Sequence, residues 1–198
     1  FAFLMTMGIE EKLDQIKESV DQELKSILET VSPGIARVLT YSVMSGGKRF
    51  RPLLLISAGE TFGCSREKTL PFACALEFIH NYSLIHDDLP AMDDDDFRRG
   101  KPSSHKAFGE GMAVLAGDAL LTLAFETMAR TLLAPASHDT DFLNRGIQVI
   151  EEISRAAGAG GMIEGQVLDI SAQNKKLTEK QYYHLVLKKT GALIIVAV

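Results

Sequence analysis

Six acidic residues lie within ten positions near the middle of the chain, and their types and spacing suit metal chemistry. They are the pair Asp87-Asp88, then Asp93 and the run that ends at Asp96. The pair directly follows the most apolar segment, so folding places it at the mouth of the core, where uncompensated carboxylates are costly. Dense carboxylate oxygens suit Mg²⁺ or Mn²⁺, and Mg²⁺ usually bridges to substrate phosphates. We therefore expect Asp87, Asp88 and Asp93 to form a metal site for a phosphorylated ligand.

The spacing within this acidic stretch requires a break in the helix. In a regular helix Asp93 would lie partly off the face of Asp87, but Pro90 removes a backbone donor and favours a kink. Such a kink would bring Asp93 towards Asp87. A calcium loop is not indicated because its central glycine is absent, whereas an acidic helix end without a metal remains the structural alternative.

Two groups of basic residues indicate phosphate binding. Arg98 and Arg99 follow the acids, and Lys48 and Arg51 follow Gly46-Gly47 upstream. Glycines allow close approach of the backbone to a ligand, and arginine forks match phosphate oxygens. Because Lys48 and Arg51 are three residues apart, one helical turn is expected to direct both towards one anion.

His80 is a candidate for the same anion site. It precedes Asp87 by seven residues, or two helical turns, and so lies on a similar face. A lone helical histidine is more often structural, but together with Lys48 and Arg51 it becomes a donor to a second diphosphate. Two groups of basic residues, each suited to bind an anion, together with one acidic cluster predict two phosphorylated substrates. No glycine-rich loop joins a strand to a helix, which argues against a kinase or a nucleotide-binding protein.

The elements that must position these residues show helical periodicity. The predicted helices span residues 9–31, 35–44, 52–58, 68–85, 112–133 (broken at Pro135), 142–157, 162–172 and 179–198. No alternating strand pattern is found. The segment 68–85 is apolar on most faces, which is typical of a buried helix. We therefore expect one all-α domain packed around that helix.

Composition narrows the class of partner and the compartment. The net charge of -5 over 198 residues gives no reason to expect nucleic acid. Cys64 and Cys74 cannot form a disulfide framework and fit reduced thiols in a cytoplasmic protein. The apolar start, Phe1 to Gly8, is too short for a signal peptide or a membrane span, so no stable membrane insertion is expected.

Several segments together resemble one family. The block 83–102, with four residues between the acid pair and Asp93, resembles the first aspartate-rich motif of the trans-isoprenyl diphosphate synthases. Segment 46–52 is similar to the isopentenyl diphosphate motif of that family. Segments 116–120, 165–169 and 189–191 resemble further family signatures in the same order, so the resemblance covers nearly the whole chain.

The resemblance implies a helical isoprenoid synthase fold with a deep central cavity, a homodimer, and Mg²⁺ on Asp87 and Asp93 with Asp88 in support. The residues implied for the allylic diphosphate are Arg98, Lys189 and Thr190, and those for isopentenyl diphosphate are Gly47, Lys48, Arg51, His80 and Arg99. Gln166 and Asp169 are expected to line the pocket. The catalytic set implied is Asp87, Asp88, Asp93, Arg98 and Lys189.

The family resemblance also implies the reaction, which is condensation of isopentenyl diphosphate with dimethylallyl or geranyl diphosphate. Residues four and five before the acid pair, Ser83 and Tyr82, help to set the pocket depth in this family. The aromatic Tyr82 favours a C15 product, farnesyl diphosphate, with a C20 geranylgeranyl synthase as the alternative. A non-catalytic partner subunit, a terpene cyclase and a helical interaction module are further alternatives. The intact acidic motif argues against the first, and the second anion site argues against the cyclase.

One family feature is missing from the sequence. Members carry a second aspartate-rich motif on a later helix, and they are longer than this chain. The resemblance therefore predicts that residues 1–198 form a single isoprenoid synthase domain that lacks its C-terminal part.

Overall fold

The structure, a computed structural model, describes residues 8–134 and 139–198, and these residues are almost entirely helical. The helices are α1 Ile9–Glu29, α2 Pro33–Val43, α3 Phe50–Thr61, α4 Arg66–Asp87, α5 Ser104–Phe108, α6 Glu110–Leu133, α7 Thr140–Ala157, α8 Met162–Ala172, α9 Glu179–Val186 and α10 Ala192–Ile195. The all-α prediction is confirmed. The predictions for residues 1–7 and for a break at Pro135 lie outside the described residues.

Helix α4 forms the centre of the bundle, as its composition predicts. Its apolar residues from Phe72 to Ile79 are buried on all sides, and α6 and α3 pack along it. Helix α1 buries one stripe, made of Ile16, Val20, Leu24 and Leu28, at spacings of four residues. Cys74 is buried in α4, and both cysteines are free thiols.

Helix α6 packs against α4 over most of its length and buries small residues, including Ala113, Ala116 and Ala124. Small residues allow the two helix axes to approach closely. Within the described ranges, α6 is the one helix whose length and apolar composition would allow it to cross a bilayer. Core helices of bundles have the same length and apolar composition.

The acidic stretch is a turn, and the expected break in the helix occurs earlier than Pro90. Helix α4 ends at Asp87, and the backbone N–H of Asp93 donates to the Asp87 carbonyl at 2.9 Å. A short antiparallel hairpin follows, in which β1 (Phe97–Arg98) pairs with β2 (Lys101–Pro102). Two-residue strands carry no periodic pattern, so the sequence gives no signal for this hairpin.

The predicted helix over residues 179–198 is interrupted by one π-helical turn at Leu187–Gly191. Single π turns inside helices frequently occur at functional sites. This turn contains Lys189 and Thr190, the residues that the family resemblance implies for the allylic diphosphate. Hydrophobic periodicity does not separate a π turn from the α-helix around it.

Candidate active site

A cavity of 510 Å³ opens between the C-terminal half of α4, helices α6 and α8, and the π turn. It is lined by Arg51, His80, Tyr82, Ser83, Leu84, His86, Asp87, Met92, Asp118, Leu121, Met162, Ile163, Gln166, Val167, Ile170, Lys189 and Thr190. Charged groups from four separate segments, Arg51, Asp87, Asp118 and Lys189, therefore share one space with an apolar wall.

Asp87 lies in a polar cluster at this cavity. The Gln166 amide donates to its Oδ1, and the Lys189 ammonium lies 3.5 Å from its Oδ2. The same ammonium contacts Asp169 Oδ2 at 2.5 Å. The Lys189 ammonium thus bridges two carboxylates from different helices, Asp87 and Asp169. The structure brings together Asp87, Gln166, Asp169 and Lys189, which lie up to about a hundred residues apart in the sequence.

Asp93 lies close enough to Asp87 to act on it electrostatically. Burial raises the pKa of Asp87, Lys189 lowers it, and the nearby Asp93 raises it further. Within residues 8–134 and 139–198, no group of three or more His, Cys, Asp or Glu side chains is placed to hold a metal ion. Mg²⁺ needs only one or two carboxylates when waters and substrate phosphates complete its shell. The oxygen donors of Asp87 and Asp93 therefore fit that ion.

Asp88 has a different environment from its neighbour. Only 2% of it is exposed, and it accepts hydrogen bonds from the Arg98 guanidinium, with Arg98 Nε at 2.9 Å from Asp88 Oδ1. Burial raises the pKa of Asp88, and Arg98 opposes that effect. Arg98 also pairs with Asp95 at 3.0 Å. The structure therefore places Asp88 and Arg98 in an ion pair beside the cavity that Asp87 lines.

A second, cationic cluster lies at the same cavity. Arg51 and His80 line it, and Arg99 donates to the Gly46 carbonyl and so joins the glycine loop to the β1–β2 turn. The Nε of Arg51 is buried and has no hydrogen-bond partner among the described residues. A buried donor without a partner is costly, and an anion in the cavity would satisfy it.

The expected helical turn through Lys48 and Arg51 is wrong. Arg49 has a left-handed backbone (φ 48°, ψ 36°), and α3 begins only at Phe50. Lys48 therefore lies in the preceding loop, where it is exposed, while Arg51 lies in the first turn of α3. Lys48 and Arg51 therefore do not share a helix face.

His80 is neutral at physiological pH in this environment. Burial and then Arg51, Arg99, Arg49 and Arg98 lower its pKa to about 3. The neutral imidazole ring therefore adds no positive charge to the site, but it can still form a hydrogen bond with an anion. The cationic charge of the cluster belongs to the arginines.

This shift predicts how stability depends on pH. Between the ordinary histidine value and a pKa of about 3, the unfolded chain binds a proton at His80 that the folded chain does not. The free energy of unfolding should therefore decrease as pH falls below about 6.5, and His80→Gln should flatten that dependence. Chemical denaturation at several pH values measures it. An unchanged slope in the variant would show that His80 does not contribute.

The apolar wall of the cavity carries the predicted chain-length residues. Tyr82 is 7% exposed and contacts the His86 ring edge-on, with centroids 5.8 Å apart. His86 Nε2 lies 3.1 Å from the Val114 carbonyl, and the ring occupies space beside Gly117 that a side chain would fill. Ser83 donates to the His80 carbonyl. Two rings in edge-to-face contact, Tyr82 and His86, thus stand at this wall.

The close approach of α8 to the π turn depends on Gly165. A Cβ at this position would lie 2.1 Å from the backbone nitrogen of Lys189. Gly165→Ala should therefore displace Lys189. Given the catalytic role that the family resemblance implies for Lys189, the substitution should lower kcat by about tenfold or more, since small misplacements of catalytic groups are expensive. Steady-state kinetics measures the effect. Gly111→Ala, at a position with open space on α6, is the control, and equal losses in both variants would contradict the interpretation.

Several cavity residues were not singled out from the sequence. His86, Met92, Asp118 and Leu121 line the cavity, together with Ile163, Val167 and Ile170 from α8. The apolar ones follow ordinary helical periodicity and carry no signal that distinguishes a cavity wall from a packed core. His86 and Asp118 lie within or beside the quoted motifs, and this proximity was the one signal available.

Fold and site together define a helical protein in which a carboxylate cluster and a cationic cluster lie at one cavity. Residues 32–198 match the family described as polyprenyl synthetase. The chain belongs to the polyprenyl synthetase family.

Individual relatives agree with this assignment. Farnesyl diphosphate synthase of Geobacillus stearothermophilus is 41% identical over 190 residues, which are 95% of this chain and 62% of that protein. A heterodimeric geranylgeranyl pyrophosphate synthase large subunit of Arabidopsis thaliana is 45% identical over 89% of this chain and 48% of its own length. The crystal structure of a geranyltransferase from Legionella pneumophila superposes with a TM-score of 0.87 at 40% identity, covering 95% of this chain and 66% of that one. The chain thus spans less than two thirds of the length of the Geobacillus stearothermophilus protein.

Proposed function

We propose that the protein is a Mg²⁺-dependent trans-prenyltransferase that condenses isopentenyl diphosphate with an allylic diphosphate, dimethylallyl or geranyl, to give farnesyl diphosphate. The observation that carries the proposal is the meeting of two unlike clusters in one cavity. The Asp87–Gln166–Lys189 cluster suits a metal-bound diphosphate. Arg51 and His80 line the same cavity, and with Arg99 close enough to His80 to lower its pKa they suit a diphosphate without metal. Bacterial relatives named farnesyl diphosphate synthase support it.

The allylic diphosphate is assigned to the carboxylate cluster. Asp87 and Asp93, with Asp88 beside them, would hold Mg²⁺, or Mn²⁺ in its place. The metal would stabilise negative charge as the diphosphate departs. Lys189 and Thr190 line the cavity next to Asp87. The Lys189 ammonium, which bridges two carboxylates in this structure, would then exchange a carboxylate contact for a hydrogen bond to a diphosphate oxygen. Arg98 would join this site by leaving Asp95 while it keeps Asp88.

Isopentenyl diphosphate is assigned to Gly47, Lys48, Arg51, His80 and Arg99. The buried, unpartnered Nε of Arg51 and the neutral His80 provide donors that a diphosphate would satisfy. In the reaction, the allylic C–O bond breaks and the diphosphate leaves with the electron pair. The isopentenyl double bond then forms the new C–C bond, and the released diphosphate accepts the proton that leaves the adjacent carbon. The apolar wall excludes water from the allylic cation. No protein nucleophile is required.

Tyr82 supports the C15 product over the C20 alternative. Its buried ring, together with His86, would limit the growing chain at the cavity wall. The relatives include geranylgeranyl synthases as well as farnesyl synthases, so a C20 product is the second candidate.

A product assay tests the proposal. The full-length protein is incubated with isopentenyl diphosphate, dimethylallyl diphosphate and Mg²⁺, and the hydrolysed products are separated by chain length. Farnesol as the main product, lost on chelation of the metal, is the expected result. No elongation would refute a synthase, and a cyclic hydrocarbon formed without isopentenyl diphosphate would indicate a cyclase.

The remaining parts of the proposal concern the context of the site. We propose a homodimer in the cytoplasm, with no nucleic-acid partner and no stable membrane insertion. Residues 1–198 are proposed to belong to one isoprenoid synthase domain whose relatives extend further.

A further inference from the structure

Arg49 stands in the middle of the basic motif but does not face the cavity. It is only 3% exposed. Its Nε donates to Asp21 at 2.7 Å, its Nη1 to Glu77 at 2.8 Å and its Nη2 to the Val43 carbonyl at 2.8 Å. One guanidinium thus ties the loop after α2 to α1, to the end of α2 and to α4.

Glu77 is a buried carboxylate that the proposed reaction does not use. It is 2% exposed, and the Asn81 amide donates to its Oε1 at 3.3 Å. It lies on α4, one turn before His80. Burial lowers the pKa of Arg51 and of Arg99, and the Glu77 charge opposes that effect on both. The carboxylate therefore lies beneath the cationic cluster and pairs directly with Arg49.

The loop that Arg49 anchors has an unusual backbone. Gly46 and Gly47 have φ values of 99° and 138°, and Arg49 itself has a φ of 48°. A non-glycine residue in the left-handed region is unfavourable and persists where its surroundings fix it. The three bonds of the Arg49 side chain provide that fixation, and the loop carries Lys48 and leads directly into Arg51.

We propose that Arg49 and Glu77 are a positioning pair, which binds no substrate and sets the geometry of the isopentenyl diphosphate site through the loop at residues 46–49. The inference rests on the proposed function of that site. Glu77 also supplies a negative charge near Arg51 and Arg99. A purely electrostatic role is therefore the alternative that the experiment must distinguish from positioning.

Glu77→Gln separates the two roles because they predict opposite changes in the Kd for isopentenyl diphosphate. Removing a negative charge from beneath an anion site strengthens binding if the role is only electrostatic. Loss of the anchor instead misplaces Lys48 and Arg51, and we expect the Kd for isopentenyl diphosphate to rise about tenfold or more. Calorimetric titration with isopentenyl diphosphate measures this. The Kd for the non-ionising thio analogue of geranyl diphosphate with Mg²⁺ should change less than about threefold.

Arg49→Lys is the second variant, because it keeps the charge and loses the fork that spans three partners. Its Kd for isopentenyl diphosphate should also rise, and Arg66→Lys, which weakens the Arg66–Glu60 pair, should leave it unchanged. If Glu77→Gln does not fold, Arg49→Lys decides. An unchanged or lower Kd in the folded variants, or an equal loss of both ligands, overturns the positioning pair. A wild-type protein that binds no isopentenyl diphosphate overturns the proposed function as well.

Discussion

Asp87→Asn should reduce kcat for condensation on the order of 10²–10³-fold, while the Kd for isopentenyl diphosphate stays close to that of the wild type. The substitution keeps the shape of the side chain but removes the charge that Lys189 contacts and that a metal requires. It also leaves Asp169 as the remaining partner of Lys189. Steady-state kinetics at saturating Mg²⁺, with calorimetric titration of isopentenyl diphosphate, measures both quantities.

Asp141→Asn is the matched control for this prediction. Asp141 is a carboxylate on α7 that pairs with Arg145 at the surface, where its side chain is 70% exposed. Its loss should leave kcat unchanged, since exposed pairs contribute little to stability. If Asp87→Asn retains most of its activity, or if both ligands are lost together, the assignment of Asp87 to the metal-bound diphosphate is wrong.

Tyr82→Ala should convert the main product from C15 to C20 or longer. The buried ring stands at the cavity wall against His86, and its removal opens space behind that wall, into which the proposed product would extend. The variant should also lose stability, because a buried aromatic replaced by alanine costs about 3–5 kcal/mol. Chromatography of the hydrolysed products measures the chain-length distribution, which does not depend on the fraction of folded enzyme.

Tyr182→Ala serves as the control for product length. Tyr182 is a tyrosine on α9 with 57% of its surface exposed, so its loss should leave the distribution at C15. A Tyr82→Ala enzyme that is active and still stops at C15 would show that another group, with His86 the first candidate, forms the limit.

The helices and the centre of the fold could be predicted because their signal is local. Helix α4 is apolar on most faces, and α1 carries an apolar residue at every fourth position, so burial follows from composition and period. The pairing of Asp87 with Lys189 could not be predicted from spacing, because it depends on how α8 and the π turn fold back onto α4. The resemblance to a family placed both residues in one site.

Errors arose where a single residue overrides a pattern. The basic motif predicts a helical turn through Lys48 and Arg51, but the left-handed Arg49 separates them. The three partners of Arg49 come from distant parts of the chain, and no local signal marks it as an anchor. The sequence likewise predicts that the adjacent Asp87 and Asp88 act together in one metal site. In the structure Asp87 lines the cavity, whereas Asp88 pairs with Arg98.

The central claim is that two diphosphates occupy separate sites in one cavity and that only the allylic one requires metal. Calorimetric titration of the full-length protein with isopentenyl diphosphate and with the thio analogue of geranyl diphosphate, each with and without Mg²⁺, tests it directly. We expect isopentenyl diphosphate to bind without metal, the analogue to bind only with Mg²⁺, and the two to bind together. Competition between them for one site, or equal binding of the analogue without metal, would contradict the claim.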